Sequence, residues 1–349
     1  GRKRVKKLSM TRLTEAFDRI SAAQKLYLPI EKAEQVNFDE YAPGANVRLD
    51  VTKTVKSAKD AFFPQCEDFA HFHMDGKSIN VKPVAPESEP FTVFGVRACD
   101  ARSFKGVLDL VFLSDPLDPY YAARREHGTL VVLACGNPEE SCFCQTFGVN
   151  PAESADGDAN AWIVGDTMYL KAVTEKGEKL LALLGDLLSD ADDQPVEAEK
   201  ARIHEEMAKL PLADLSVESL KDGAMMEEFN SPRWKDLSAA CLGCGSCTFV
   251  CPTCQCYDIR DFNTGHGVQR YRCWDSCMYS DFTLMAHGSN RPTQLERFRQ
   301  RFMHKLVYFP MNNDGVFSCV GCGRCVEKCP IHMNIVKVIK ALGGKKHVD

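Results

Sequence analysis

A chain of 349 residues is more than twice the usual domain unit of roughly 150 residues, so two domains are expected. Hydrophobic residues at 44% and charged residues at 26% are globular proportions and exclude a disordered or fibrous chain. A formal charge of -5 disfavours nucleic acid as a partner, and the longest apolar runs, such as Leu130 to Cys135, fall far short of the roughly 20 residues of a spanning helix, so no membrane insertion is expected.

In chain order, the basic start at Arg2, Lys3, Arg4, Lys6 and Lys7 is not followed by the apolar stretch and small-residue cleavage site of an export signal. Leu13, Phe17, Ile20 and Ala23 then recur at helical spacing and predict an amphipathic helix. Phe91 to Arg97 and Thr129 to Cys135 are short, β-branched and aromatic, and read as buried strands. Two further strands flank Gly165-Asp166-Thr167 as a hairpin, and Gly177 to Leu188 reads as a helix. The acidic stretch before Pro195 and the charged, helix-favouring run Glu197 to Leu210 form a surface connector ended by Pro211. The boundary falls between Pro211 and Pro232, giving an α/β or α+β domain over 1–225 and a second domain over 226–349.

Cysteine marks that boundary. Of 17 cysteines, 12 lie from Cys241 onward, and their number and clustering fit metal ligation in a reducing cytoplasm better than a disulfide framework. Cys241, Cys244, Cys247 and Cys251 with Pro252 spell C-x2-C-x2-C-x3-C-P, and Cys319, Cys322, Cys325 and Cys329 with Pro330 repeat it. This run specifies a [4Fe–4S] cluster, and in two-cluster ferredoxins its fourth cysteine serves the other cluster. The expected sets are therefore Cys241, Cys244, Cys247 and Cys329, and Cys319, Cys322, Cys325 and Cys251. Structural zinc, which also uses C-x2-C pairs, is the competing reading of a single pair but not of two complete runs.

The 67 residues between Cys251 and Cys319 exceed what a compact ferredoxin needs, and Leu295, Phe298, Phe302 and Leu306 give the insert a helical period. Arg297, Arg299, Arg301 and Lys305 on that helix are either a docking face for an acidic partner or a solvated charged face. Cys99 and Cys135 sit at predicted strand ends, where open α/β sheets build their sites. With Cys142 and Cys144 in the following loop they form either a third [4Fe–4S] site or a group of ordinary buried thiols. Cys254, Cys256, Cys273 and Cys277 form either a further metal quartet or, since C-x-C and C-x3-C match no cluster signature, core thiols by default, and Cys66 reads as structural. No G-x-G-x-x-G follows a strand and no phosphate-binding G-x4-G-K-[ST] occurs, so neither flavin nor nicotinamide binding is expected, and His287 beside Gly288 is a turn residue rather than a catalyst.

Beyond these spacings, Lys59 to Glu67 (KDAFFPQCE), Phe94 to Phe104 (FGVRACDARSF), Tyr120 to Glu126 (YYAARRE), Cys142-Phe143-Cys144, Cys251 to Tyr257 (CPTCQCY), Trp274 to Cys277 (WDSC) and Arg297 to Tyr308 (RFRQRFMHKLVY) resemble a known family across nearly the whole chain. That family is the iron–sulfur subunit shared by cytoplasmic sulfhydrogenases, in which it is the β subunit, and by anaerobic sulfite reductases. The resemblance implies an electron-transfer subunit of anaerobic metabolism, with no catalytic residue of its own. It would stand between a flavin- and NAD(P)H-binding partner and a catalytic oxidoreductase subunit of hydrogenase, sulfite reductase or heterodisulfide-reductase-like type. It also implies an α-helical two-cluster ferredoxin domain and favours the third cluster at Cys99, Cys135, Cys142 and Cys144. Cys273 is extra to the family pattern. Two rival classes remain: an enzyme reducing a small molecule at an N-terminal cluster with an open coordination site, and a zinc-stapled interaction module.

Overall fold

The computed structural model describes residues 4–220 and 225–343. Its larger sheet has eight strands: β1 (Lys6–Ser9), β2 (Lys25–Lys32), β3 (Gln35–Glu40), β6 (Phe91–Val96), β7 (Gly128–Leu133), β8 (Ala159–Val164), β9 (Thr167–Ala172) and β10 (Ser189–Asp190). They are ordered β10-β1-β9-β8-β7-β6-β2-β3, with β2, β6, β7 and β8 parallel to their neighbours in the centre and antiparallel pairs outside.

The central strands read as uninterrupted apolar runs because both faces of the sheet are covered. On β7, Leu130 and Val132 join one core, with Phe62, Phe104 and Trp162, while Val131 and Leu133 join the other, with Phe17, Leu26 and Leu180. The helix Leu13–Ala23 supplies that second face through Ala16, Phe17 and Ile20. The helix Glu175–Leu184 lies close to the expected Gly177 to Leu188, whereas Gln194–Ala208 is helical but buries Val196, Ile203 and Met207 in the first core, which corrects the surface-connector reading.

A second sheet, ordered β11-β12-β4-β5 and antiparallel throughout, is assembled from distant parts of the chain. Its strands β4 (Cys66–Asp75) and β5 (Ser78–Pro83) precede the predicted boundary, whereas β11 (Tyr257–Asn263) and β12 (Val268–Trp274) follow it. The insert between the two cysteine runs thus carries a hairpin as well as a helix. That helix, Gln294–Met303, begins with a capping box between Thr293 and Glu296 and buries Phe298, Arg301, Phe302 and Met303.

A third core gathers Trp234, Phe298, Phe302, Leu306, Val338 and Ile339 around the ferredoxin-type loops, and it includes Phe143 and Leu215 from the other side of the chain. Among the described residues, no helix is long and apolar enough to cross a membrane.

Candidate metal centres

Each ferredoxin-type loop is shaped by two left-handed glycines at matching positions, Gly243 and Gly245 (φ 64° and 75°) and Gly321 and Gly323 (φ 62° and 80°). The first loop and the end of the second run close on one cavity, lined by Cys241, Cys244, Cys247 and Cys329 with Met278, Phe298, Arg301, Phe302, Pro330 and Met333. Cys241 Sγ accepts from Gln294 Nε2 at 3.2 Å and from Gly243 N at 3.5 Å. Cys244 is exposed, and its hydrogen bond with Ser246 lowers its thiol pKa.

Cys251 leaves its own run and lies within electrostatic reach of Cys319, Cys322 and Cys325. Burial pushes these three thiols up, Cys322 to about 12. Cys251 itself is held well below the usual thiol range by its hydrogen bond with Cys254, aided by the charge of Lys305.

Cys99 opens the helix Ala98–Ser103 just past β6, and Cys135 follows β7 by two residues, so both stand at the carboxyl end of the parallel strands. Arg97 fixes the two ends together by donating to the carbonyls of Leu133, Ala134, Leu49 and Val51. The loop after β7 curls back so that Cys144 comes within reach of Cys135 and Cys142, and Cys99 within reach of Cys135. All four thiols are nearly enclosed, at 6% to 8% exposure, and burial raises each pKa, that of Cys135 to about 11.

Electrostatic interactions link the three thiol groups in succession. Cys322 is an electrostatic neighbour of both Cys99 and Cys144, while Cys247 and Cys325 are neighbours across the other gap. The backbone locks the first junction: Phe143 N donates to Gly321 O at 2.9 Å, and Arg324 makes a bidentate pair with Asp100 at 2.6 and 2.8 Å.

Beside the two ferredoxin-type groups the buried charge is mainly cationic. Lys59 is 2% exposed and donates to the carbonyls of Cys251 and Cys254 at 3.1 and 2.8 Å, its ammonium 3.8 Å from the Trp274 ring centroid. Lys305, also buried, donates to Thr253 Oγ1 and Ser318 O at 2.8 and 3.0 Å. Arg301 donates to Cys247 O at 3.1 Å and leaves Nε without a partner. None of the three forms an ion pair with a carboxylate among the described residues, although Asp60 lies within electrostatic reach of Lys59, and a buried cation without a counter-charge costs several kcal/mol, about 3–5 when a partner is removed. The thiols between them are the available counter-charge: Cys251 is already held low, and metal binding would draw the protons from the others. An all-sulfur, net-negative [4Fe–4S] cage therefore fits the residues present. Among the described residues no three Cys, His, Asp or Glu side chains are gathered around a single ion position.

The burial of Arg301 and Lys305 corrects the docking-face reading of the insert helix, because their face packs on the cysteine loops. Spacing did contain a signal, since Phe298, Arg301, Phe302 and Lys305 follow the i, i+3, i+4, i+7 period of one apolar face. Cys66 also departs from expectation: it is exposed, and it stands opposite Cys273 across β4 and β12. Cys254 and Cys256 instead contact Cys251 and Cys277 respectively.

The family model describing a 4Fe-4S dicluster domain matches residues 240–333. Sulfhydrogenase 2 subunit beta of Pyrococcus furiosus is 34% identical over 344 residues, covering 95% of this chain and 96% of that protein. With full-length likeness and the dicluster match in agreement, this chain belongs to the sulfhydrogenase β-type family of iron–sulfur electron-transfer subunits.

Proposed function

We propose that this chain relays single electrons between a flavin- and NAD(P)H-binding partner and a catalytic oxidoreductase subunit, holding three [4Fe–4S] clusters and neither flavin nor nicotinamide. The sites are Cys241, Cys244, Cys247 and Cys329; Cys319, Cys322, Cys325 and Cys251; and Cys99, Cys135, Cys142 and Cys144. The observation that carries the reading is the packing of the cysteine loops on one another: one cavity is lined by Cys241, Cys244, Cys247 and Cys329, and Phe143 N of the Cys142-Phe143-Cys144 loop donates to Gly321 O of the second run at 2.9 Å.

Clusters bound there take up and release one electron each. The protein's own part is to hold the thiols, exclude water and set the local charge. Arg301 offsets negative charge between the two ferredoxin-type sites, Lys59 and Lys305 do so beside Cys251, and Arg324 with its partner Asp100 forms a neutral pair between Cys322 and Cys99. Hydrogen bonds and burial of this kind are the means by which a protein sets cluster potential. The row has one open end, where Cys244 and Leu242 are exposed, which supports electron exchange with a partner there.

Direct reduction of a small molecule at the N-terminal site is the weaker reading, because all four cysteines are buried. The cysteine usage supports a reducing cytoplasm as the working compartment. Iron and acid-labile sulfide on anaerobically purified protein should each come to about twelve per chain at four per cluster. Cys99→Ser should lower both to about eight and remove one set of paramagnetic signals. A wild-type content of about eight removes the third cluster from the proposal, and unchanged turnover of the whole complex with Cys322→Ser refutes the relay.

A further inference from the structure

Five cysteines stand outside the three groups, and two of them form an isolated surface pair. Cys66 and Cys273 are direct partners in the antiparallel ladder of β4 and β12. The neighbouring backbone bond from Trp274 N to Gln65 O at 2.9 Å makes the adjacent position the hydrogen-bonded one, which puts the two cysteines at a non-hydrogen-bonded position. Side chains at such a position share one face of the sheet, with Cα atoms about 4.5 Å apart, inside the roughly 4.4–6.8 Å range that a disulfide spans. Both thiols are unbridged; Cys66 is exposed and Cys273 partly so.

We propose that Cys66 and Cys273 are a reversible thiol–disulfide site, oxidised by low-molecular-weight disulfides, whose bridge straps the N-terminal part of the chain to the hairpin of the dicluster region. The step balances without the clusters. Cys66 as thiolate attacks one sulfur of the reagent, forming a mixed disulfide and expelling one thiolate. The Cys273 thiolate then attacks Cys66 Sγ and expels the second. Two electrons pass from the protein dithiol to the reagent, which leaves as two thiols carrying the two protons. Cys66 is the entry point because it is the more accessible sulfur, and Cys273 is the resolving one because the ladder register holds it opposite. The remaining outlying thiols are placed differently, since Cys254 contacts Cys251 and Cys256 contacts Cys277 beside the candidate metal sites.

The test is anaerobic incubation of the full, iron-loaded protein with oxidised glutathione, followed by denaturing alkylation, proteolysis and mass spectrometry. A cross-linked peptide joining Cys66 to Cys273, two hydrogens lighter than its parts and abolished by dithiothreitol, is the expected result, with iron content unchanged. Cys66→Ser should lose the cross-link entirely, and Cys273→Ser should accumulate a glutathione adduct on Cys66. Persistent glutathione on Cys66 of the wild-type protein, a bridge from Cys66 to any other cysteine, or full alkylation of both thiols each overturns the proposal. The wild-type cross-link is informative even if a variant folds poorly.

Discussion

Arg324 shows how a single side chain can serve two halves of the chain at once. Its guanidinium is 2% exposed, pairs with Asp100 beside Cys99, and also donates to the carbonyl of Thr54 at 2.9 Å, while its own position lies just past Cys322 at the start of a short helix. The planar fork satisfies both carboxylate oxygens, which a lysine would not. Replacing it by methionine keeps most of the volume but strands Asp100, itself 1% exposed, so a loss of about 3–5 kcal/mol is expected from leaving one member of a buried pair. The double variant Arg324→Met with Asp100→Asn should regain a large part of that loss, because the uncompensated charge is gone. Urea midpoints of the iron-loaded proteins at unchanged slope measure both. A double variant no more stable than Arg324→Met would mean that the Thr54 contacts, and not the ion pair, carry the effect.

Among the elements, the second ferredoxin-type loop is the one with least freedom. Gly321 adopts φ 62°, and a Cβ there would lie 2.3 Å from Phe143 O and 2.7 Å from Cys144 Cα, both backbone. Its contact with the Cys142-Phe143-Cys144 loop therefore demands glycine twice over, for conformation and for space. Gly321→Ala should cost more than the roughly 1–3 kcal/mol of left-handed strain alone, and should lower iron content at two sites, since the displaced loop carries Cys322 as well as touching Cys144. Gly315→Ala, at φ 79° with open space around it, isolates the strain term, so equal losses in the two variants would contradict the packing argument. The cysteine runs and their glycines were legible because their information is local, a fixed spacing on one short loop. Arg301 and Lys305 were half legible, as charges on an apolar helix period whose meaning depends on what the face packs against. The pairing of β4 with β12 was not legible. Cys66 and Cys273 lie far apart in the chain, and exposed Met74, Ile79, Ile259 and Phe262 blur the apolar alternation that identifies a strand. Lys59 was hidden for the same reason, since its carbonyl partners at Cys251 and Cys254 are brought to it only by tertiary structure.

At the scale of the whole molecule, composition divides the chain near residue 225, yet the contacts interlock across that line. Besides the β4–β12 ladder, Arg272 on β12 is 1% exposed and forms ion pairs with both Glu67 and Asp118, while Arg124 also reaches Glu67. Trp274 donates to Phe63 O at 3.1 Å and its ring holds Lys59, and Phe143 sits in the core built mainly by the dicluster region. A fragment covering only 226–349 would keep Arg272 and Arg324 but lose the carboxylates at Glu67, Asp118 and Asp100 that neutralise them, together with two strands of the smaller sheet. Separate unfolding of the two parts requires that each retain a stable core when the other melts, and these shared charges and strands remove that independence. Anaerobic calorimetry of the intact protein should therefore give one transition, coincident with the loss of far-UV dichroism, and the isolated 226–349 fragment should bind fewer iron atoms than its eight cluster cysteines would hold. Two resolved transitions, with the fragment retaining about eight irons, would instead mean that the row of thiol groups is bridged by contacts too weak to couple the folding of its two ends.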